Sequence, residues 1–82
     1  MLTIRLFAGM RDAAGKAVLK MELPASGTVS EVFSQLARLH PEVSPFRRSL
    51  LVAVNQEYAD WDGPVREGDE IAFFPPVSGG SS

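Results

Sequence analysis

Glu70-Ile71-Ala72-Phe73-Phe74-Pro75-Pro76 is the stretch on which the fold turns. Five residues read as a strand and two prolines then stop it, because proline cannot donate to a sheet ladder and holds φ near an extended value. Alternation about the strand axis sends Ile71 and Phe73 inward and Ala72 and Phe74 outward. Beyond the prolines the side chains dwindle to Val77, Ser78 and Gly79-Gly80, with Ser81-Ser82 after them. The chain thus leaves its last strand stiff and extended, then continues as an arm without Cβ bulk at its two glycines. Something narrow can admit such an arm.

Upstream of that strand, Arg66-Glu67-Gly68-Asp69 and Asp62-Gly63-Pro64 read as turns, with Val65 the lone apolar residue between them. Leu50-Leu51-Val52-Ala53-Val54 is apolar enough for an internal strand, Asn55-Gln56 makes a tight turn, and residues 57–61 return as a short strand. Thr28-Val29-Ser30-Glu31 is a capping box, and Val29, Val32, Phe33, Leu36 and Ala37, with Leu39 or His40 on the next turn, form the stripe of an amphipathic helix. Pro41 and Pro45 end that helix, and Phe46 packs back beneath it. At the other end of the chain, residues 2–8 alternate with period two. Leu2, Ile4 and Leu6 share one face, while Phe7 stands with Thr3 and Arg5 on the other. Residues 9–15 connect, with a helical turn over 10–14 that carries Arg11 to the surface. A second strand over 17–23 turns Leu19, Met21 and Leu23 inward and pairs with the first as an antiparallel hairpin.

Strand, strand, helix, strand, short strand, strand is the element order of the β-grasp architecture. The expectation is an α+β, ubiquitin-like fold: a mixed five-stranded sheet with one main helix packed on one face, its first and last strands side by side in parallel. Residues 1–75 form this domain, and residues 76–82, with Gly79-Gly80, form a flexible tail. The same pairing puts outward Phe7 beside outward Phe74, with Tyr58 a candidate third member. A contiguous aromatic patch at the root of a tail is an interaction surface; the alternative is a second small core under residues 41–49.

Composition excludes much else. Eighty-two residues make one domain, whose core supplies on the order of 3 to 5 kcal/mol of net stability. A net charge of -2 with dispersed Lys and Arg argues against nucleic acid, and the one adjacent basic pair, Arg47-Arg48, reads as a solvated turn. With no cysteine and one histidine, disulfides, thiolate metal sites, a thiol sulfur relay and a Ser-His-Asp set are out of reach. His40 reads as a structural residue at the helix end. Asp60, Asp62, Asp69 and Glu70 are turn acids without a base or metal partner. No signal-peptide pattern and no membrane-length apolar run is present, so the expected location is the cytoplasm, with no membrane association.

Ala53-Val54-Asn55-Gln56, followed by residues 68–80 from Gly68-Asp69-Glu70 through Phe73-Phe74-Pro75-Pro76 to Gly79-Gly80, resembles the small subunit of molybdopterin synthase, within the MoaD/ThiS superfamily of ubiquitin-like sulfur carriers. Ile4 to Ala8 and Arg11 carry the resemblance across nearly the whole chain. It implies a chain that is non-catalytic by itself but a subunit of a sulfurtransferase. An adenylating, E1-like activating enzyme would use ATP and magnesium to activate the Gly80 carboxylate, a sulfur donor would convert it to a thiocarboxylate, and the synthase large subunit would take that sulfur for the molybdopterin dithiolene. This chain would bind no cofactor of its own. Pro75, Pro76, Val77, Ser78 and Gly79 would thread into each partner, and Phe7, Arg11, Tyr58 and Phe74 would dock against it.

The family pattern ends at Gly-Gly, whereas Ser81 and Ser82 follow here. They would displace the terminal carboxylate by about 7 Å of extended chain. Either they are removed, or they do not belong to the natural chain, or this copy serves another partner. A carrier or ubiquitin-like modifier for another pathway, and a non-catalytic ubiquitin-fold interaction module, stay open as alternatives.

Overall fold

The structure, a computed structural model, describes residues 1–76. Strand β1 (Leu2–Leu6) is followed by helix α1 (Ala8–Ala14), β2 (Val18–Met21), helix α2 (Val29–Leu39), a 3-10 helix over Pro41–Ser49, then β3 (Leu51–Val54), β4 (Glu57–Ala59) and β5 (Glu70–Phe74). The five strands form one sheet in the order β2-β1-β5-β3-β4. β1 and β5 run parallel with Leu6 opposite Phe73, and the other three pairings are antiparallel. This is the expected mixed β-grasp sheet, with the last strand at its centre.

Period-two alternation decides which side chains fill the core. Leu2, Ile4 and Leu6 of β1, Val52 of β3, and Ile71 and Phe73 of β5 are all at most 2 % exposed on one face. There they meet Val29, Val32, Phe33 and Leu36 of α2 in a single cluster. Of the capping box at the start of α2, the Thr28 half forms: its Oγ1 accepts from the Glu31 N–H at 3.3 Å. At the other end His40 is partly covered, and Leu39, at the rim of the apolar stripe, stays 64 % exposed.

Several strands are shorter than expected: β3 starts at Leu51, not Leu50, and β4 ends at Ala59, so Trp61 lies beyond the returning strand read over 57–61. β1 ends at Leu6, not at Ala8, because Phe7 becomes the N-cap of α1 and Ala8 takes a left-handed φ of 51°. β2 stops at Met21, so Leu23 lies beyond the ladder and is 37 % exposed instead of facing the core. The connection between β1 and β2 is a full seven-residue helix, closed by Gly15 at φ 77°. It buries Met10 and approaches the 3-10 segment so closely that a Cβ on Gly9 would lie 2.8 Å from the Phe46 ring. Phe46 thus packs under α1 as well as against the core.

Trp61 completes the core from the loop after β4. It stacks on Phe73 at 5.8 Å between centroids and meets Phe33 edge-on at 5.6 Å, while the Arg47 guanidinium lies 3.5 Å above its ring. The basic pair is therefore split. Arg48 is exposed as a solvated turn residue would be, but Arg47 caps the aromatic cluster by a cation–π contact.

Asn55 ties the β3–β4 hairpin to the root of β5. Asn55 and Gln56 take φ of 52° and 72°, as a tight hairpin turn requires. The Asn55 side chain donates to Asp69 Oδ1 at 2.9 Å and accepts from the Glu70 N–H at 3.0 Å. The Asn55 amide first, and the Arg66 backbone N–H second, hold the Asp69 carboxyl below its usual range. A depressed folded pKa means the contribution is complete above the unfolded value of about 4 and is lost as pH falls through the lower folded one. Asp69→Asn should therefore lower the urea midpoint at pH 7, and the gap to the parent should close on acidification below pH ~4. A gap that stays constant from pH 7 to pH 2.5 would show that the charge contributes nothing.

Candidate functional site

The sheet face opposite α2 carries three rows set by the strand register. Thr3 lies between Lys20 and Glu70; Arg5 lies between Val18 and Ala72, whose row continues through Ala53 to Tyr58; Phe74 lies beside Leu51. Phe7 follows β1 at the end where β5 reaches Phe74, so both rings stand at the edge from which Pro75 and Pro76 leave the sheet.

The expected aromatic cluster forms. Phe7 meets Phe74 edge-on with centroids 6.4 Å apart, and Tyr58 lies tilted against Phe74 at 6.0 Å. Phe74 is half-buried between its neighbours, whereas Phe7 is 45 % and Tyr58 77 % exposed. Leu51, 37 % exposed and in register with Phe74, extends the patch, and period-two alternation against buried Val52 would have found it. The alternative of a second small core fails here: the 3-10 segment buries Val43 and Phe46 against the main core, leaving these rings to solvent. Arg11 is exposed on α1 with its amide 3.5 Å from the Phe7 carbonyl, which places it beside the patch without joining the ring contacts.

Sequence reasoning missed the polar end of this face. Arg5 Nε donates to Glu70 Oε2 across the parallel β1–β5 pair, and Lys20 Nζ donates to Thr3 Oγ1 at 2.9 Å. Arg5, Phe7, Gln56, Glu70 and Ala72 line a shallow notch of about 260 Å³. Residues 65 positions apart meet in the Arg5–Glu70 pair, and no local pattern announces it.

Pro75 and Pro76 continue exposed from β5. Val77, Ser78, Gly79, Gly80, Ser81 and Ser82, to which the threading and activation roles fall, lie outside the described residues. Among the described residues there is no group of three or more His, Cys, Asp or Glu able to hold a metal ion, and no helix is long and apolar enough to cross a membrane. Two of the four acids named in the turns serve the fold: Asp69 holds Asn55 and the Arg66 N–H, and Glu70 holds Arg5. What the site offers is an exposed aromatic patch at the edge from which Pro75 and Pro76 leave the sheet.

The model of the ThiS family matches residues 4–80, a span that includes the aromatic patch and Gly79-Gly80. The chain belongs to the ThiS family. Within it, the molybdopterin synthase sulfur carrier subunit of Dictyostelium discoideum is 39 % identical over 80 residues, covering 94 % of this chain and 93 % of that one. The protein of the same name from Haemophilus influenzae is 37 % identical over 82 residues, covering 98 % and 100 %. Among solved structures, the crystal structure of small archaeal modifier protein 1 of Haloferax volcanii superposes with a TM-score of 0.82 at 27 % identity, covering 93 % of this chain and 97 % of that one. This ThiS-family chain therefore shares its β-grasp body with proteins named as sulfur carriers and with one named as a modifier.

Proposed function

We propose that this chain is the sulfur carrier subunit of a molybdopterin synthase, with Gly80 as the sulfur-bearing end once Ser81 and Ser82 have been removed. Similarity along essentially the full length of two proteins so named carries the reading. The chemistry agrees with the composition. A carboxylate is a poor acyl donor, so a partner enzyme attaches AMP from ATP, with magnesium, and pyrophosphate leaves. Hydrosulfide from the sulfur donor then attacks the acyl carbon, AMP departs and a proton is released, which leaves a thiocarboxylate. The chain has no cysteine, so sulfur can ride only on an acyl group, and the C-terminus is the one on a thin arm. The large subunit transfers that sulfur to the cyclic precursor of the dithiolene. Catalytic side chains, ATP and magnesium all belong to the partners.

In this reading Pro75 and Pro76 keep the arm extended, Val77, Ser78 and Gly79 pass through a narrow entrance, and Phe7, Arg11, Tyr58 and Phe74 hold the body against each partner. Phe74→Ala removes the ring that both Phe7 and Tyr58 touch. It should weaken the complexes with the large subunit and with the activating enzyme severalfold while the folded spectrum is kept, as loss of a central aromatic anchor does. Calorimetric titration of both partners checks it, and an unchanged dissociation constant would remove the patch from the interface.

A second reading, a protein modifier whose Gly80 carboxyl ends on an amine of a target, is favoured by the likeness to small archaeal modifier protein 1, which is 30 % identical over 84 residues. Reconstitution separates the two. Thiocarboxylated chain plus large subunit and cyclic precursor gives molybdopterin in the first case; in the second, the chain appears in isopeptide linkage to cell proteins.

A further inference from the structure

The outward strand positions carry two cations, Arg5 and Lys20, against one anion, Glu70, in a chain whose net charge is -2. Glu70 binds Arg5 through Nε alone. The two terminal nitrogens make no hydrogen bond among the described residues, and the side chain is half exposed. Glu70 thus engages the guanidinium at Nε and leaves its two terminal nitrogens without a partner among the described residues; a guanidinium edge of this kind can receive a carboxylate through two parallel N–H···O bonds. The notch is lined by Arg5, Phe7, Gln56, Glu70 and Ala72, and Ala72, opposite Arg5 in the strand register, contributes only a methyl group beside the guanidinium. Lys20, held upright by Thr3 one row further on, adds to the same positive field.

We infer that this face docks against a protein surface carrying a carboxylate, which Arg5 grips about 7 Å along the strand from Phe7. The inference rests on the docking role proposed above for Phe7, Tyr58 and Phe74, and it adds what those rings cannot supply. Apolar anchors tolerate rotation about their own pocket, whereas a charged fork two residues along the strand fixes the orientation in which the body sits and so the line on which the arm enters. Charge complementarity of this kind also speeds encounter and makes it sensitive to salt.

The test is calorimetric titration of the synthase large subunit encoded in the same genome, at about 20 mM and 300 mM salt, which brackets strong and weak screening. Arg5→Gln should raise the dissociation constant about tenfold at low salt and flatten its salt dependence. Arg5→Lys, which keeps the charge and loses the fork, should recover part of the loss. Arg48→Gln, the same charge change on an exposed residue of the 3-10 helix, should bind like the parent. Arg5→Gln binding within twofold of the parent, while Phe74→Ala binds severalfold more weakly, overturns the carboxylate contact and leaves the docking reading intact. If Phe74→Ala also binds like the parent, the docking surface lies elsewhere and both fall. Circular dichroism on each variant confirms that the comparison is between folded chains.

Discussion

A chain ending at Gly80, incubated with its activating enzyme, ATP, magnesium and a sulfur donor, should gain about 16 Da as sulfur replaces one carboxylate oxygen. The same chain ending at Ser82, or cut back to Ser78, should gain no sulfur and support molybdopterin formation at least a hundredfold more slowly. The size of the effect follows from geometry. Activation needs a carboxylate within bonding reach of a phosphate, and a misplacement of only 1 Å can cost on the order of a hundredfold. Two extra residues move the group by about 7 Å, and two missing ones leave it short by as much. The body is untouched in all three chains, so docking affinity should change far less than turnover. Intact-mass measurement reads the sulfur directly. Equal labelling of the chains ending at Gly80 and Ser82 would sink the assignment of Gly80, as would labelling that survives loss of both glycines.

Phe73→Ala should unfold the domain or bring it to the edge of unfolding. Phe73 is fully buried on the central strand, stacked on Trp61 and edge-on to Phe33 at 5.5 Å. Replacing a buried phenylalanine by alanine costs about 3–5 kcal/mol, which matches the whole net stability of about 3–5 kcal/mol expected of so small a core. With a urea slope near 1 kcal/mol per molar, the midpoint should fall by about 3 M. Trp61, the single tryptophan, touches the ring being removed and reports the loss by fluorescence. Phe74→Ala, one residue along and on the opposite face, should shift the midpoint by much less, because Phe74 remains half exposed. A Phe73→Ala midpoint within about 0.3 M of the parent would be incompatible with the packing described here. The contrast between these adjacent phenylalanines separates core from docking surface within a single strand.

The candidate site was legible in unusual measure because its rings obey the strand rule. Phe7 and Phe74 each stand at an outward position, and once the first and last strands are paired they fall together; Tyr58 joins them through the β3–β4 hairpin. Extents were less legible. Alternation runs smoothly through Phe7 and Ala8 and through Glu22 and Leu23, yet pairing ends sooner at both places, because α1 takes the chain out of the ladder at the first and β1, which starts at Leu2 opposite Met21, offers no partner at the second. Trp61, expected at the end of the short returning strand, lies in the loop after β4, and no local pattern marks it as core or places Arg47 above its ring.

Side-chain period, cap and breaker are properties of near neighbours, so the sequence alone determined the order of elements, the buried face of each and the stop after Phe74. The family pattern in the closing residues is of the same local kind. Which charges meet was decided only in the tertiary structure. Arg5 and Glu70 come opposite one another, and Asn55 reaches Asp69, because the strand register is set by packing the whole buried face at once. A one-residue slip would turn every core side chain to solvent. The energy that fixes the polar face of the sheet is therefore stored in its apolar face.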